Sequence, residues 1–407
     1  MFKEKKVGSL VSESTKGITP KYVSSSNLMV LNQKCIRNNR IDFSLAQFCE
    51  DPGNLSEKKL LRPGDILLNS TGVGTAGRVA FVNQIPDGLK LIADSHILLL
   101  RCKTRYEAQC LGYLLYSYEK EIQSFMDGST GQSELDKVRL FNIQLTMPND
   151  AATQESVAKF LHLLDQKIDA NTTLISKMDS ILEQMYRFWF YQFGIGSDEK
   201  MVSKLIKNDA LKKDIPFDWE VRKLSEITEI ATATVDTQSS NVDVWRHYSI
   251  PSFDEFGTYQ LEAKDEIKSN KFKVEKTDIL VSKLNPWFNR VIYAEDLENL
   301  ICSTEFVVWR APSLSIKNFL YMLAKDPHFI KYCSQSSTGT SNSHKRINPT
   351  LMMKYKIPFH AETIEKFGLL INPMIQKKMK LELQNKELAR FRSLILPMLM
   401  SGQIVVH

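Results

Sequence analysis

The chain is poor in the groups that hold metals or staple small folds. Its six cysteines (Cys35, Cys49, Cys102, Cys110, Cys302 and Cys333) are scattered, with no C-x-x-C among them. Its seven histidines show no metal-ligand spacing. Disulfide frameworks and zinc ribbons are excluded on that ground, and a reduced, cytoplasmic compartment with no metal site is expected. No apolar run approaches the roughly 18 residues that a membrane span needs. The basic start Lys3-Glu4-Lys5-Lys6 leads into no apolar stretch, so no signal peptide is expected. Neither sign of charge dominates: 53 Lys and Arg against 47 Asp and Glu leave +6. That excess permits a polyanionic partner without requiring one. No catalytic set stands out. His96, His162, His328 and His360 read as packing or surface histidines. Glu155 reads as part of a helix start and Asp165 as part of a solvated helix face. No carboxylates are spaced for acid–base or metal work.

What the chain does have is a repeat. At 407 residues it can hold two or three domains. Residues 64–82, GDILLNSTGVGTAGRVAFV, correspond to residues 277–294, TDILVSKLNPWFNRVIYA. ADSHILLLR (93–101) corresponds to CSTEFVVWR (302–310), and STGQSELDKVRLFNIQLTMP (129–148) to STGTSNSHKRINPTLMMKYKIP (337–358). Pro148 and Pro358 each precede an acidic helix start and a long amphipathic helix. Four matches in one order, about 210 residues apart, imply an internal duplication. Within each copy, β-branched runs (Ile97–Leu100, Phe306–Trp309) predict strands, and Ala108–Phe125 and Ile316–Tyr332 predict helices.

The second part of each copy is a single helix. In 153–192 the apolar positions Val157, Leu161, Leu164, Ile168, Ile175, Met178, Leu182, Met185 and Trp189 step by three and four, broken at Asn171. In 361–396 Phe367, Leu370, Met374, Leu381, Leu388, Phe391 and Ile395 do the same, broken at Lys377 and Gln384. Heptads sustained this long signal a coiled coil. The expected pairing residues are Leu164, Ile168, Ile175, Met178 and Leu182 against Leu370, Met374, Leu381, Leu388 and Phe391. Forty residues make a rod of roughly 60 Å, far beyond the ~10–14 residues of an ordinary domain helix. A glycine stop is expected at Gly194 and again at Gly402. A polar, lysine-rich linker is expected up to Asp214.

Two motifs invite an enzymatic reading. Gly72, Gly74 and Gly77 spell G-x-G-x-x-G after a strand. A dinucleotide site needs a helix after the third glycine, yet Arg78–Val82 reads as a strand. The second copy has no glycine in the equivalent stretch, Lys283–Arg290. Asn285-Pro286-Trp287-Phe288 is close to the N-P-P-F tetrad of adenine methyltransferases, but neither α/β alternation nor a methyl-donor loop accompanies it. The alternative of an adenine-specific DNA methyltransferase using Gly72–Gly77 and Asn285–Phe288 is therefore the weaker one.

The remaining loops carry residue types that read base edges and hold phosphates. In the first copy these are Lys21, Arg37, Arg40, Ser70, Thr71, Arg78, Ser129, Thr130 and Gln132. In the second they are Thr234, Arg246, Lys283, Asn285, Trp287, Arg290, Ser341, Asn342, His344, Lys345 and Arg346.

The ordered set resembles the DNA-specificity subunit of type I restriction-modification enzymes over the whole length. The matching residues are Trp219–Ile227 (degenerate as Lys6–Leu10), Gly64-Asp65-Ile66-Leu67 and Thr277-Asp278-Ile279-Leu280. They continue with Ser129-Thr130-Gly131 and Ser337-Thr338-Gly339, then the helix starts Gln154–Phe160 and Glu362–Phe367. The first copy departs in lacking the opening Trp, and the second in having Thr277 for Gly. The resemblance implies an α+β chain with pseudo-twofold symmetry. Two strand-rich target-recognition domains, 1–150 and 215–358, alternate with long helices, 151–194 and 359–407, and 195–214 is the linker. It further implies that the helices pair antiparallel, that each domain reads one half of a split DNA target, and that the subunit does no chemistry. Two methyltransferase subunits, which would carry S-adenosylmethionine, and motor-nuclease subunits would be the partners.

Overall fold

The computed structural model describes residues 2–72, 74–127, 134–194, 204–339 and 344–406. The chain forms two compact units. One comprises Met1–Ala170 and Glu387–His407, the other Asn171–Lys386. Each long helix is therefore shared out: both units contain a stretch of both helices.

The duplication is realised strand for strand. The first unit has a four-stranded sheet in the order Val11–Lys16, Ile97–Cys102, Ile66–Asn69, Val79–Phe81. The second has the same order in Glu229–Ala231, Phe306–Arg310, Asp278–Ser282, Val291–Tyr293. Leu67 pairs with Leu99 and Ala80, as Leu280 pairs with Val308 and Ile292. These central strands are apolar on both faces because a helix covers one face and a second sheet the other. That second sheet holds a parallel pair in each unit, Leu28–Leu31 with Lys90–Ala93 and Val244–Tyr248 with Leu300–Cys302. The covering helices are Arg105–Ser117 and Leu314–Lys325. The stretch expected as one helix over 316–332 is two, because Asp326-Pro327 ends one and starts the next, with Asp326 capping the His328 N–H.

An arginine–carboxylate clamp recurs at the start of the D-I-L strand. Arg101 donates from Nε and Nη2 to Asp65 at 2.8 and 3.1 Å, and Arg310 does the same to Asp278 at 2.9 and 2.9 Å. Asp65 and Arg101 are only 1% and 4% exposed, so protein groups must satisfy them: the bidentate pair does most of it, and Glu13 and the Lys58 and Leu60 carbonyls take the remaining Arg101 donors. The acid in the repeated motif is thus structural.

The long helices are Ala151–Phe190 and Ala361–Ser401. Asp150 starts the first by accepting from the Thr153 N–H at 2.9 Å. In the first unit Val157, Ala158 and Leu161 join Ile395, Leu396, Leu399 and Met400 in one core. In the second, Leu182, Tyr186 and Phe190 meet Ile364, Phe367, Ile371 and Ile375, with Phe190 edge-on to Phe367 at 5.0 Å. Within the second unit Asn171 faces Gln384 and Asn385, and Asp179 faces Lys378, so the segments run antiparallel.

Four local expectations are corrected. Leu370 and Phe391 are 55% and 47% exposed. Their neighbours Ile371 and Arg392 occupy the seam, because a straight helix drifts from the 3.5-residue repeat and the polar Arg392 disguises its own burial. Asp165 is no solvated residue: its carboxylate takes the Tyr113 hydroxyl at 2.6 Å and pairs with Arg392. The first helix ends through Phe193, at φ 54°, instead of Gly194, whereas Gly402 does take the left-handed stop at φ 80°. The end of the presumed linker is a hairpin, Leu205–Asn208 with Lys213–Pro216.

Candidate nucleic-acid interface

In each unit the strand after the arginine clamp runs into a loop whose shape the backbone fixes. In the first unit Gly72, Gly74 and Gly77 all have positive φ (98°, 76° and 81°). In the second, Asn285 and Asn289 supply left-handed residues at φ 47° and 48°. Asparagine is the side chain that best tolerates that conformation. The glycines therefore serve a turn that the second copy makes without them. The chain after Gly77 is the strand Val79–Phe81, antiparallel to Ile66–Asn69, so the third glycine does not lead into the helix that a dinucleotide loop requires.

Side chains stiffen the first loop. Gln33 donates to the Thr71 carbonyl and hydroxyl at 2.8 and 2.7 Å, and Thr71 Oγ1 meets His96 Nδ1 at 2.8 Å. Asn69 Nδ2 bridges the carbonyls of Gln33 and Thr75. Arg78 Nη2 caps the Gly74 carbonyl at 2.8 Å. The second loop is fastened by Asn285, whose Oδ1 accepts the Lys345 N–H at 3.1 Å while its own N–H reaches the Lys345 carbonyl at 2.7 Å.

The structure joins loops that lie far apart in sequence. Thr71 bridges Glu134 in the first unit, and Leu284 bridges Arg346 in the second. The segment after the strand and the segment before the final helix-bearing stretch thus form one platform per unit. On the second platform stand Lys283, Lys345, Arg346 and His344, with Trp287 and Phe288 39% and 57% exposed. The buried Asn285 serves the platform's frame.

Other expected contacts lie elsewhere or are engaged. Ser70 is buried, with its hydroxyl on the His96 carbonyl. Arg40 turns to Asp169 of the first long helix at 2.5 Å, leaving Arg37 exposed at the tip of the hairpin whose turn residues Asn38 and Asn39 have φ 53° and 58°. Lys21 is exposed and pairs with Glu50. Arg290 and Arg346 sit bidentate on Asp254 and Glu305. Thr234 and Arg246 belong to the other sheet of the second unit, and Arg246 donates to the Glu298 carbonyl. Ser129, Thr130, Gln132, Ser341 and Asn342 lie outside the described residues. Gln33 and His96, which hold the first loop, give no motif in sequence, since their role depends on strands that only folding brings together.

Burial pushes the Cys35 thiol up to about 11 and those of Cys102, Cys110 and Cys333 to about 12, which leaves them as inert thiols. Burial also lowers His247 below its ordinary value, against the opposing pull of Glu262. Among the described residues no cluster of three His, Cys, Asp or Glu is placed to hold a metal, and no helix is long and apolar enough to cross a membrane.

A family model described as type I restriction modification DNA specificity domain matches residues 14–179 and 216–360, one match in each copy. The chain belongs to that family. A solved type I restriction-modification S subunit from M. genitalium shares the fold, with a TM-score of 0.59 over 98% of this chain and 96% of that one, at 14% identity. The HindI specificity subunit of a Haemophilus influenzae type I restriction enzyme is 25% identical over 173 residues, 41% of this chain and 36% of the relative. The MjaIX specificity subunit of Methanocaldococcus jannaschii is 25% identical over 126 residues, 30% of this chain and 28% of the relative. The matches thus span about a third of the length of these curated relatives. The two family matches fall on the two copies of the repeat, so each platform belongs to a specificity domain, and the subunits it resembles are named for specificity, not for a reaction.

Proposed function

We propose that this specificity-family chain is a sequence-specific DNA reader with two unlike reading modules, residues 1–150 and 215–358, and that it does no chemistry itself. The observation that carries the reading is that one platform is built twice with different side chains. The first presents a glycine-shaped backbone stiffened by Thr71 and Arg78, the second Lys283, Trp287, Phe288 and Lys345. A shared frame with unlike tips fits an asymmetric, split target, since side chains at base edges set sequence while Lys and Arg on phosphates set affinity. Two such readers use one face of B-DNA when their half-sites lie about 34 Å, or 10 base pairs, apart, and the paired helices are the element whose length would set that gap.

Partner subunits would supply the chemistry: two methyltransferase subunits carrying S-adenosylmethionine, and motor-nuclease subunits. In the second unit the first long helix shows Leu174, Ile181 and Phe188 outward at 40%, 46% and 49% exposure, a seven-residue spacing. An outward apolar stripe of that period suits docking by a partner helix.

The test is to map the methylated motif in cells carrying this chain with matching methyltransferase subunits, before and after exchanging residues 1–150 for the first domain of another family member. One half of the motif should change. A change in both halves, or in neither, overturns the modular reading. Removing one heptad from each long helix should alter the gap and leave both half-sites intact.

A further inference from the structure

The ion pairs that join the two long helices are sorted by helix. In the first unit Asp165 of the first helix pairs with Arg392 of the second, their side chains 14% and 8% exposed. In the second unit Asp179 of the first helix pairs with Lys378 of the second at 2.6 Å, with Lys378 6% exposed. Both carboxylates come from Ala151–Phe190 and both cations from Ala361–Ser401. Neighbours tie each pair in place: Tyr113 donates to Asp165 at 2.6 Å, Lys325 to Asp179 at 3.0 Å, and Lys378 to the Tyr321 hydroxyl at 3.0 Å.

The repeat supplies an internal control. Buried positions of the two helices match about 210 residues apart: Val157, Ala158 and Leu161 with Phe367, Gly368 and Ile371. On that register Asp165 and Arg392 correspond to Ile375 and Leu182, both fully buried apolar residues, and Asp179 and Lys378 correspond to Ala389 and Ile168. Each ionic layer therefore has an apolar counterpart in the other unit. If the first helix paired with a copy of itself in the same antiparallel geometry, Asp165 would face Leu182 and Asp179 would face Ile168. If the second did so, Arg392 would face Ile375 and Lys378 would face Ala389. All four charges would lose the partner on the facing helix. As ion pairs, Asp165 would keep only Arg40 at 4.0 Å and Lys378 only Glu382 at 3.6 Å, while Asp179 is 36% exposed, so the penalty falls chiefly on Arg392, Lys378 and Asp165.

We infer that Asp165, Asp179, Lys378 and Arg392 make this zipper heterotypic: the first long helix accepts the second, from its own chain or from another copy, and rejects itself. The physical cause is the asymmetry of buried charge. A matched pair roughly breaks even against an apolar pair, whereas one charge left against apolar neighbours is strongly unfavourable. The outward faces of the helices play no part in this selection. Its consequence is that a symmetric assembly joining two first halves, and so two identical readers, is disfavoured by the seam itself.

The test uses the full chain with its code erased: Asp165→Ile, Arg392→Leu, Asp179→Ala and Lys378→Ile together, each position taking its repeat counterpart. Parent and variant are unfolded in urea, refolded at equal concentration and compared by sedimentation. The variant should gain species of twice the parent mass or more, since its helices no longer distinguish like from unlike. A mass distribution identical to the parent's would overturn the inference. Should the fourfold variant not refold, the pair Asp179→Ala with Lys378→Ile, each the repeat counterpart, decides. Each single change should lower Tm by roughly 5 °C or more, and the two together should recover more than half of the loss. A double variant no more stable than the worse single would also overturn it.

Discussion

Asn171 donates from Nδ2 to Oε1 of Gln384 at 2.9 Å, so the polar break in one apolar stripe sits against a polar break in the other. The same Nδ2 reaches Asn385 Oδ1 at 2.9 Å, and Asn385 returns a bond to the Thr172 hydroxyl at 3.2 Å. Asn171 is 2% exposed. A buried amide with partners on the facing helix fixes register, because a shift along the seam strands it among apolar groups.

Asn171→Ala should therefore destabilise the chain by about 0.5–1.5 kcal/mol, the net worth of the lost hydrogen bonds, since the exposed Gln384 and half-buried Asn385 can turn to water. The double change Asn171→Leu with Gln384→Leu should recover most of that loss, because an apolar contact then replaces the Asn171–Gln384 bond while Asn385 keeps its bond to Thr172. Urea unfolding of the two variants checks this. A double variant less stable than the single would show that the amide layer matters for more than mutual satisfaction.

Asp65→Ala should cost about 1.5–3 kcal/mol, since it removes the bidentate partner of Arg101, which is 4% exposed and keeps only Glu13 and the Lys58 and Leu60 carbonyls. Asp278→Ala should cost less, because Arg310 is 23% exposed and water can take over part of the carboxylate's role. Chemical denaturation monitored separately in each unit measures both. Equal costs would mean that burial does not set the difference.

Lys283→Ala and Lys345→Ala should each weaken DNA binding across all sequences and lower the slope of log K against log salt by about 1. The methylated motif should stay the same in both. Fluorescence anisotropy titrations at several salt concentrations give the slope. A changed motif would mean that these lysines read bases instead of holding phosphates.

Lys317 should give the stability a rising limb above neutral pH. Its ammonium is 1% exposed, donates to the carbonyls of Lys276 and Ala294 at 2.5 and 2.6 Å, and lies 3.4 Å from the Tyr293 ring centre. Burial outweighs the nearby carboxylates and lowers it to about 7. Between about pH 7 and the ordinary lysine value of ~10.4 the unfolded chain binds the proton and the folded chain does not, so stability increases with pH by at most about 1.4 kcal/mol per unit. In Lys317→Met that rise should vanish. Melting curves of both proteins from pH 7 to 10 settle it, and parallel pH profiles would sink it.

Much of this was legible because repeats and periods are properties of the chain itself. The D-I-L strand, the strand after Gly77 and both long helices follow from alternation and three–four spacing, and the second copy exposed the glycine loop as a turn. Of the apolar positions expected in the seam, Ile168 and Leu182 are buried, whereas Leu370 is not. Asp165, taken alone, looks like a solvent residue, and Phe391 looks like core; the structure reverses both. The platforms were half legible, because residue types named the loops but not which side chains the frame would use up, as it does Ser70 and Asn285.

By itself the sequence determined the duplication, the order of strands and helices, and the apolar stripes, since each depends on residues near one another along the chain. The tertiary structure alone decided which polar groups meet: Asn171 with Gln384, Asp165 with Arg392, Thr71 with His96. Those choices rest on distances between residues remote in sequence. A polar side chain carries no mark of its partner until folding removes the water that would otherwise satisfy it.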